Sequence, residues 1–380
     1  QMLTDLKNLV TTGNVIWDNY PYERYVFMVH ATSGAGGATE HLNSTIIQRP
    51  RDRFGSRKDY LAFISTAAHE FIHTWNVKAY RPKGIAPYDY TNINYAKTLW
   101  IAEGSTSYFE DHLMVRAGIE TTDEFFGTLT KTVNRHLQTP GREVQSATET
   151  SFDKWINQGG DHARNYSTNI YLEGSLISMA LDIDLLEKSD GKISYRDVHR
   201  ALYNKHRLPD GFTPDDVKAI LKELTGRDYS AWWQANVDEP AAIDFDELLA
   251  KVGLGLIRPE GAKSVPSIDS FAKNSGELLT LTHVRRGGAA WQAGLTTDDK
   301  IVAFNKKHVG KDLTASLETF KAGDTVTVDF IRRDALQSTT LTLSEDFDKE
   351  KKVKALKDAT PAQMALFKAW MGVDHPNQAE

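Results

Sequence analysis

The chain has 380 residues, 40% hydrophobic, 25% charged and 10% aromatic, with a net charge of −6. This is globular composition with room for two or three domains. It holds no apolar run near the ~18 residues of a membrane span and no Lys/Arg patch suited to nucleic acid. Cysteine is absent, which excludes a disulfide framework, a thiolate metal site and a cysteine nucleophile, and suits cytoplasm and periplasm equally.

The first residues, Gln1 to Leu6, lack a basic and apolar signal-peptide pattern. They read as the middle of a folded region, with sequence upstream removed. After a helical stretch from Leu3 to Leu9, Tyr25 to Val29 is a run of β-formers. The loop Ser33 to Gly37 and a second strand-like run from Ser44 to Gln48 follow. From Lys58 the period becomes helical: Tyr60, Phe63, Ile64, Ala67, Ala68, Phe71, Ile72 and Trp75 recur at threes and fours, and Pro82 is the expected stop. A second helix is expected from Tyr95 to Val115, ending at Gly118, with others over 121–138, 169–188, 194–206 and 213–224. Residues 140–166 are polar and rich in turn formers, which predicts an irregular insertion. Beyond Trp233 the composition shifts to short β-type runs (Leu278–Val284, Ile301–Phe304, Thr325–Ile331, Thr339–Leu343) separated by Gly, Asp and Asn. The mixed charges from Asp348 to Asp358 read as a solvated helix face, and a helical tail holds Pro361 to Trp370.

His69-Glu70-Phe71-Ile72-His73 lies inside the helix that starts near Lys58. The four-residue spacing puts both imidazoles on one helix face, where they can share a metal. Glu70 sits beside that line, placed to contact a metal-held water rather than the metal. Apolar neighbours would bury this polar group, which then needs a compensating partner. The next helix contains Leu99-Trp100-Ile101-Ala102-Glu103-Gly104, a carboxylate embedded in an apolar face. His69, His73 and Glu103 form a His, His, Glu set of the kind that holds one catalytic Zn²⁺ per chain and leaves a fourth position to water. Glu110, seven residues after Glu103, is placed either to accept a hydrogen bond from the far nitrogen of a ligand histidine or to face solvent.

His-Glu-Phe-Ile-His-Thr-Trp-Asn-Val-Lys, with twenty-nine residues between His73 and Glu103, resembles the gluzincin zinc peptidases related to aminopeptidase N. The interval is longer than the aminopeptidase N pattern. The Thr74-Trp75-Asn76-Val77-Lys78 continuation with Arg81-Pro82 is closer to the glycyl aminopeptidase family. The resemblance runs over nearly all of the chain and implies an α+β fold. Its parts would be a thermolysin-like, mainly helical peptidase domain (1–250, helical from about 120), a small β-rich PDZ-like domain (251–346) and a helical tail (347–380). The resemblance further implies that the family's N-terminal β domain is missing from this sequence.

The resemblance also implies roles. Gly36-Gly37-Ala38-Thr39-Glu40-His41 is similar to the family's exopeptidase motif. In it a strand edge at Gly37 and Ala38 pairs with the substrate backbone while Glu40 grips the free α-ammonium. Tyr171-Leu172-Glu173-Gly174 resembles the segment whose tyrosine stabilises the oxyanion, with Glu173 where Lys is common. Tyr166 is the competing candidate. Val252-Gly253-Leu254-Gly255-Leu256 resembles the carboxylate-binding loop of PDZ domains, and Arg285 to Asn305 resembles their strand, helix and Gly-Leu corner. Such a module binds peptide or serves as a spacer. The expected activity is zinc-dependent removal of small N-terminal residues, such as Gly or Ala, from peptide substrates. The alternatives are an endopeptidase with the same metal site and a catalytically silent peptide-binding protein.

Overall fold

The computed structural model describes residues 1–156 and 159–378. Residues 157 and 158, within the expected insertion, and 379 and 380, at the end of the expected tail, lie outside that description. The fold mixes helices and sheet in an α+β arrangement.

Helix α1 (Met2–Thr12) turns Leu6 and Leu9 into the core. Strands β1 (Val26–Thr32), β2 (Gly37–Glu40) and β3 (Ser44–Pro50) follow as a sheet of order β1-β3-β2. β1 runs parallel to β3 and β2 antiparallel to it, so β2 is an edge. Helix α2 (Arg57–Ile72) opens at Ser56, whose side chain accepts from the Asp59 N–H. It stops well before Pro82. His73 is its C-cap, and the chain then folds back on itself, with the Val77 N–H donating to the Trp75 and Tyr80 carbonyls and Val77 at φ 131°. The rings of Trp17 and Trp75 stack at 4.5 Å beneath this bend.

The second expected helix begins later than Tyr95. A π-helical turn over Trp100–Gly104 leads into α3 (Ser105–Arg116), since Tyr95 to Lys97 sit in a looped approach. The main helical layer is α4 (Thr122–Leu137), α7 (Ile170–Lys188), α8 (Tyr195–Lys205) and α9 (Pro214–Thr225). Between α4 and α7 the chain is more ordered than its polarity suggests. It forms a 3₁₀ turn at Pro140–Glu143, α5 (Ala147–Phe152) and α6 (Gly160–Tyr166). A capping box between Ser146 and Glu149 starts α5, and buried Ala147 and Thr150 anchor it. Short helices α10 (Ser230–Trp233) and α11 (Phe245–Ala250) close this body.

β4 (Leu254–Ile257) then pairs with β13 (Lys352–Ala355), far away in sequence. Between them lie β5 (Ser264–Ser267), β6 (Ser270–Ser275), β7 (Leu278–Val284), α12 (Ala289–Gln292), β8 (Lys300–Phe304), β9 (Lys307–His308), α13 (Leu313–Leu317), β10 (Thr325–Arg332), β11 (Ala335–Thr342) and β12 (Ser344–Phe347). The larger sheet has the order β11-β10-β8-β7-β6, with β9 on β8, and β5 pairs with β12. This β-rich unit has its own core around Ile268, Leu281, Ile301, Phe304 and Val328. Val252, Leu254, Leu256 and Val353 belong instead to the core of the helical body. The loop read as a carboxylate-binding loop is therefore, at Leu254 to Leu256, a strand packed into that body. The charged stretch read as a helix face forms β13, because Val353 alternates inward. Helix α14 (Pro361–Met371) returns to the same core through Phe367, Trp370 and Met371.

Candidate metal centre

α2 delivers His69 and His73 to one face, one turn apart, and the π-helical turn delivers Glu103 opposite them. A π turn carries one residue more than an α turn and is often found where a side chain must be re-aimed at a site. The Nε2 atoms of His69 and His73 lie 3.5 and 3.4 Å from Glu103 Oε2. One donor atom from each of the three residues falls within 4.8 Å of the others.

The remaining ring nitrogens are occupied. His69 Nδ1 stands 2.7 Å from Glu110 Oε2, and Ser65 Oγ donates to Glu110 Oε1 at 2.9 Å. His73 Nδ1 lies 2.8 Å from the Asn76 carbonyl. With Nδ1 donating, both Nε2 lone pairs face the shared point, the tautomer a metal-binding imidazole requires. Asn76 also donates to the Ile101 and Ala102 carbonyls and to Thr106 Oγ1. One buried side chain thus joins the bend after His73 to the turn that carries Glu103. Its signal in the sequence was an Asn between Trp75 and Val77, which must find partners when buried.

The electrostatics match a cation-binding group. Burial works against the charge of Glu103, yet the two imidazoles hold its carboxyl far below the usual carboxylate range. Burial would lower His69, but Glu103 and Glu110 push it up to about 10. Glu70 is 7% exposed, and its Oε2 has no hydrogen-bond partner among the described residues. Burial raises its pKa above the ordinary 4.5, against the opposing pull of the imidazoles. A buried carboxylate oxygen left unpaired beside three converging donors, with no thiolate among them, fits a hard or borderline divalent ion and a proton-bearing ligand next to it.

Tyr171 opens α7 with its ring centroid 6.2 Å from that of His69. Burial, then the charges of Glu103, Glu70 and Glu40, hold its hydroxyl above the ordinary tyrosine range. Tyr166 ends α6 elsewhere, its ring against His162 and Arg286. Glu173, two residues after Tyr171, points away from the centre: it is 2.9 Å from His136 Nδ1 and accepts from Thr168 Oγ1. Gly37, Ala38 and Glu40 form the edge strand β2. Burial would raise Glu40, but a backbone N–H, His73 and Lys78 lower it. Its Oε1 lies 3.1 Å from Lys78 Nζ, a partner that spacing did not reveal, because Lys78 reaches the site only through the bend after His73.

Residues 62–177 match the family model described as M61 glycyl aminopeptidase. Over its length the chain is similar to the crystal structure of an aminopeptidase N family protein from Idiomarina loihiensis. Identity is 26% and the TM-score 0.82, over 97% of this chain and 65% of that one. The chain thus spans 65% of that relative's length. Short overlaps are found with an HtrA-type protease, AlgW with decapeptide (14% identity, 22% of this chain, 30% of that one, TM-score 0.21) and with a serine endoprotease from Yersinia pestis (20%, 24%, 30%, 0.20). They are too poor to bear on fold or function. No curated protein matches the chain.

Proposed function

We propose that this chain is a zinc-dependent aminopeptidase that removes small N-terminal residues, such as Gly or Ala, from peptides. The observation that carries the reading is the convergence of His69, His73 and Glu103 beside the unpaired Oε2 of Glu70. His69, His73 and Glu103 would hold the ion, which when bound polarises the scissile carbonyl and lowers the pKa of the attacking water. Glu70 takes a proton from that water and hands it to the leaving amine, a task suited to a carboxylate whose pKa burial has raised. Tyr171 donates a hydrogen bond to the developing oxyanion. Glu110 and the Asn76 carbonyl keep the two imidazoles in their tautomer.

Glu40, at the end of the edge strand, binds the substrate's α-ammonium and so sets the cut one residue from the N-terminus. The β-rich unit serves as a PDZ-like module for peptide or protein ligands, capturing an extended chain along a free sheet edge. The endopeptidase reading draws on the Glu40–Lys78 pair, since a carboxylate already compensated by Lys78 would have no amine to read. A silent peptide binder has no use for Glu70 beside both histidines.

Hydrolysis of one peptide with a free and an acetylated N-terminus separates these readings. Wild-type protein should carry about one zinc, lost in Glu103→Ala, and should barely cleave the acetylated peptide. Glu40→Ala should lower kcat/KM for the free-amine peptide by about tenfold or more, the worth of a charge-assisted bond in a partly dry site. Internal cleavage, with Glu40→Ala as active as wild type, would leave the metal site standing and overturn the aminopeptidase reading.

A further inference from the structure

Two cavities adjoin at Arg135, Asn169 and Leu172, and one of them reaches Tyr171 and Glu110, the neighbours of His69. One, of about 390 Å³, starts at Tyr171 and Glu110 and runs between α3, α4 and α7. The other, of about 520 Å³, lies between α4, the segment from Gln145 to Asn169, and strands β6 and β7 at Phe271 and His283. Arg135, Asn169 and Leu172 line both, so they form one trough leading from the centre toward the β-rich unit.

The trough begins on the His69 side of the centre. Glu40 belongs to the His73 side: it pairs with Lys78, whose N–H donates to the His73 carbonyl. Tyr171 and Glu110, where the trough begins, flank His69. A peptide with its amine at Glu40 and its first peptide bond at the metal ligands therefore sends its remaining residues past His69 into the trough.

The charges along that path change sign. Near the centre, Glu110 is committed to His69 and Ser65, and burial holds Asp111 toward its neutral form. At the junction of the cavities Arg135 is exposed, and its guanidinium has no hydrogen bond or ion pair among the described residues. On the wall of the second cavity, Lys154 lies 5.8 Å from the Tyr171 ring and Arg164 lies 5.6 Å from the Phe271 ring, against a single lining carboxylate, Asp153. The 19-residue α7 also starts here, at Asn169, with the positive end of its dipole toward the trough.

Resting on the aminopeptidase reading, we propose that Arg135, supported by Lys154 and Arg164, anchors a carboxylate on the part of the substrate that follows the scissile bond. The carboxylate is either the C-terminus of a short peptide or an Asp or Glu side chain of a longer one. The guanidinium fork suits both, by paired charge-assisted hydrogen bonds.

The test uses the zinc-loaded full chain. An alanine anilide, which has no residue beyond the scissile bond, first reports the aminopeptidase activity of the wild type by itself. Alanyl peptides of three to five residues are then compared with free and amidated C-termini. Amidated peptides with Glu or Gln at each later position form a second series. One series should show roughly tenfold higher kcat/KM for its carboxylate member, mainly through KM. A free-over-amidated preference at one length assigns the terminal carboxylate, and Glu over Gln assigns a side chain. Arg135→Gln should abolish the preference and Arg135→Lys should restore part of it. Calorimetric binding of the same pairs to Glu70→Gln protein should show the same ratio. Anilide hydrolysis without any carboxylate preference, or a preference that survives in Arg135→Gln, overturns the anchor. Zinc-loaded protein that cleaves neither anilide nor peptides sinks the aminopeptidase reading and the anchor with it.

Discussion

Glu120 shows how far a single buried carboxylate is governed by its surroundings. It is 6% exposed and, among the described residues, accepts only a long bond (3.4 Å) from Thr128 Oγ1 and leaves Oε2 unpaired. Burial, then the charge of Glu124, raises its pKa from 4.5 to about 7. The folded state therefore holds a proton that the unfolded state has released. Below about pH 4.5 both states are protonated and nothing is lost. Stability then falls as pH rises, until above about pH 7 the full cost, roughly 3 kcal/mol, is present. Glu120→Gln should match wild type near pH 4.5 and exceed it in urea unfolding at pH 8. A difference independent of pH would show that Glu120 is not the titrating group. Glu173 is the contrasting case, equally buried but matched by His136, and Asn76 is buried with every donor spent on the metal centre's frame.

Between elements, the approach of the π-helical turn to α7 decides where Tyr171 stands. A Cβ added at Gly104 would lie 2.4 Å from Gly174 Cα and 2.6 Å from the Ile170 carbonyl oxygen; one added at Gly174 would lie 2.7 Å from the Trp100 oxygen. These neighbours are backbone atoms, so neither helix can yield by a side-chain rotation. The two glycines let the helices cross in contact. Glu103, next to Gly104, and Tyr171, one turn before Gly174, thereby face the same point. Gly104→Ala should push the helices apart, costing about 1–3 kcal/mol in unfolding free energy. It should also lower kcat/KM by tenfold or more through displacement of Tyr171 from Glu103. Unfolding curves and hydrolysis rates check both, and an unchanged rate in a destabilised variant would detach Tyr171 from the chemistry.

Across the whole molecule, the β-rich unit leaves the helical body after β4 and returns to it at β13, two strands of one ribbon. α14 then closes the chain against α3. Trp370 is fully buried, its Nε1 donates to the Tyr108 hydroxyl at 2.7 Å, and that hydroxyl donates to Asp182 at 2.5 Å. Arg116 and Arg196 hold the last carbonyls of α14. The final helix is thus part of the core behind Glu110 and His69. Trp370→Ala should cost about 3–5 kcal/mol and lower the urea midpoint of the helical body as a unit. Loss of α14 signal alone, with the body's midpoint unmoved, would show that the helix is an appendage.

Local chemistry was enough to read α2, α4, α7 and the strands β7, β8 and β10, because one apolar face repeating at 3.6 or 2 residues specifies an element wherever it packs. The same locality made His69, Glu70 and His73 legible, since four residues of helix put both imidazoles on one face whatever surrounds them. The end of α2 at Ile72, the π turn at Glu103 and the strand at Lys352–Ala355 were not legible. Each depends on a partner far along the chain: Asn76 on Ile101 and Ala102, Gly104 on Gly174, Val353 on Leu256. Lys78 beside Glu40 and Arg135 at the meeting of the two cavities belong to the same group. Spacing along one helix carries the pair of histidines, but Glu103, the tyrosine and the charges along the trough arrive from separate elements. Only their packing sets the distances at which such groups act.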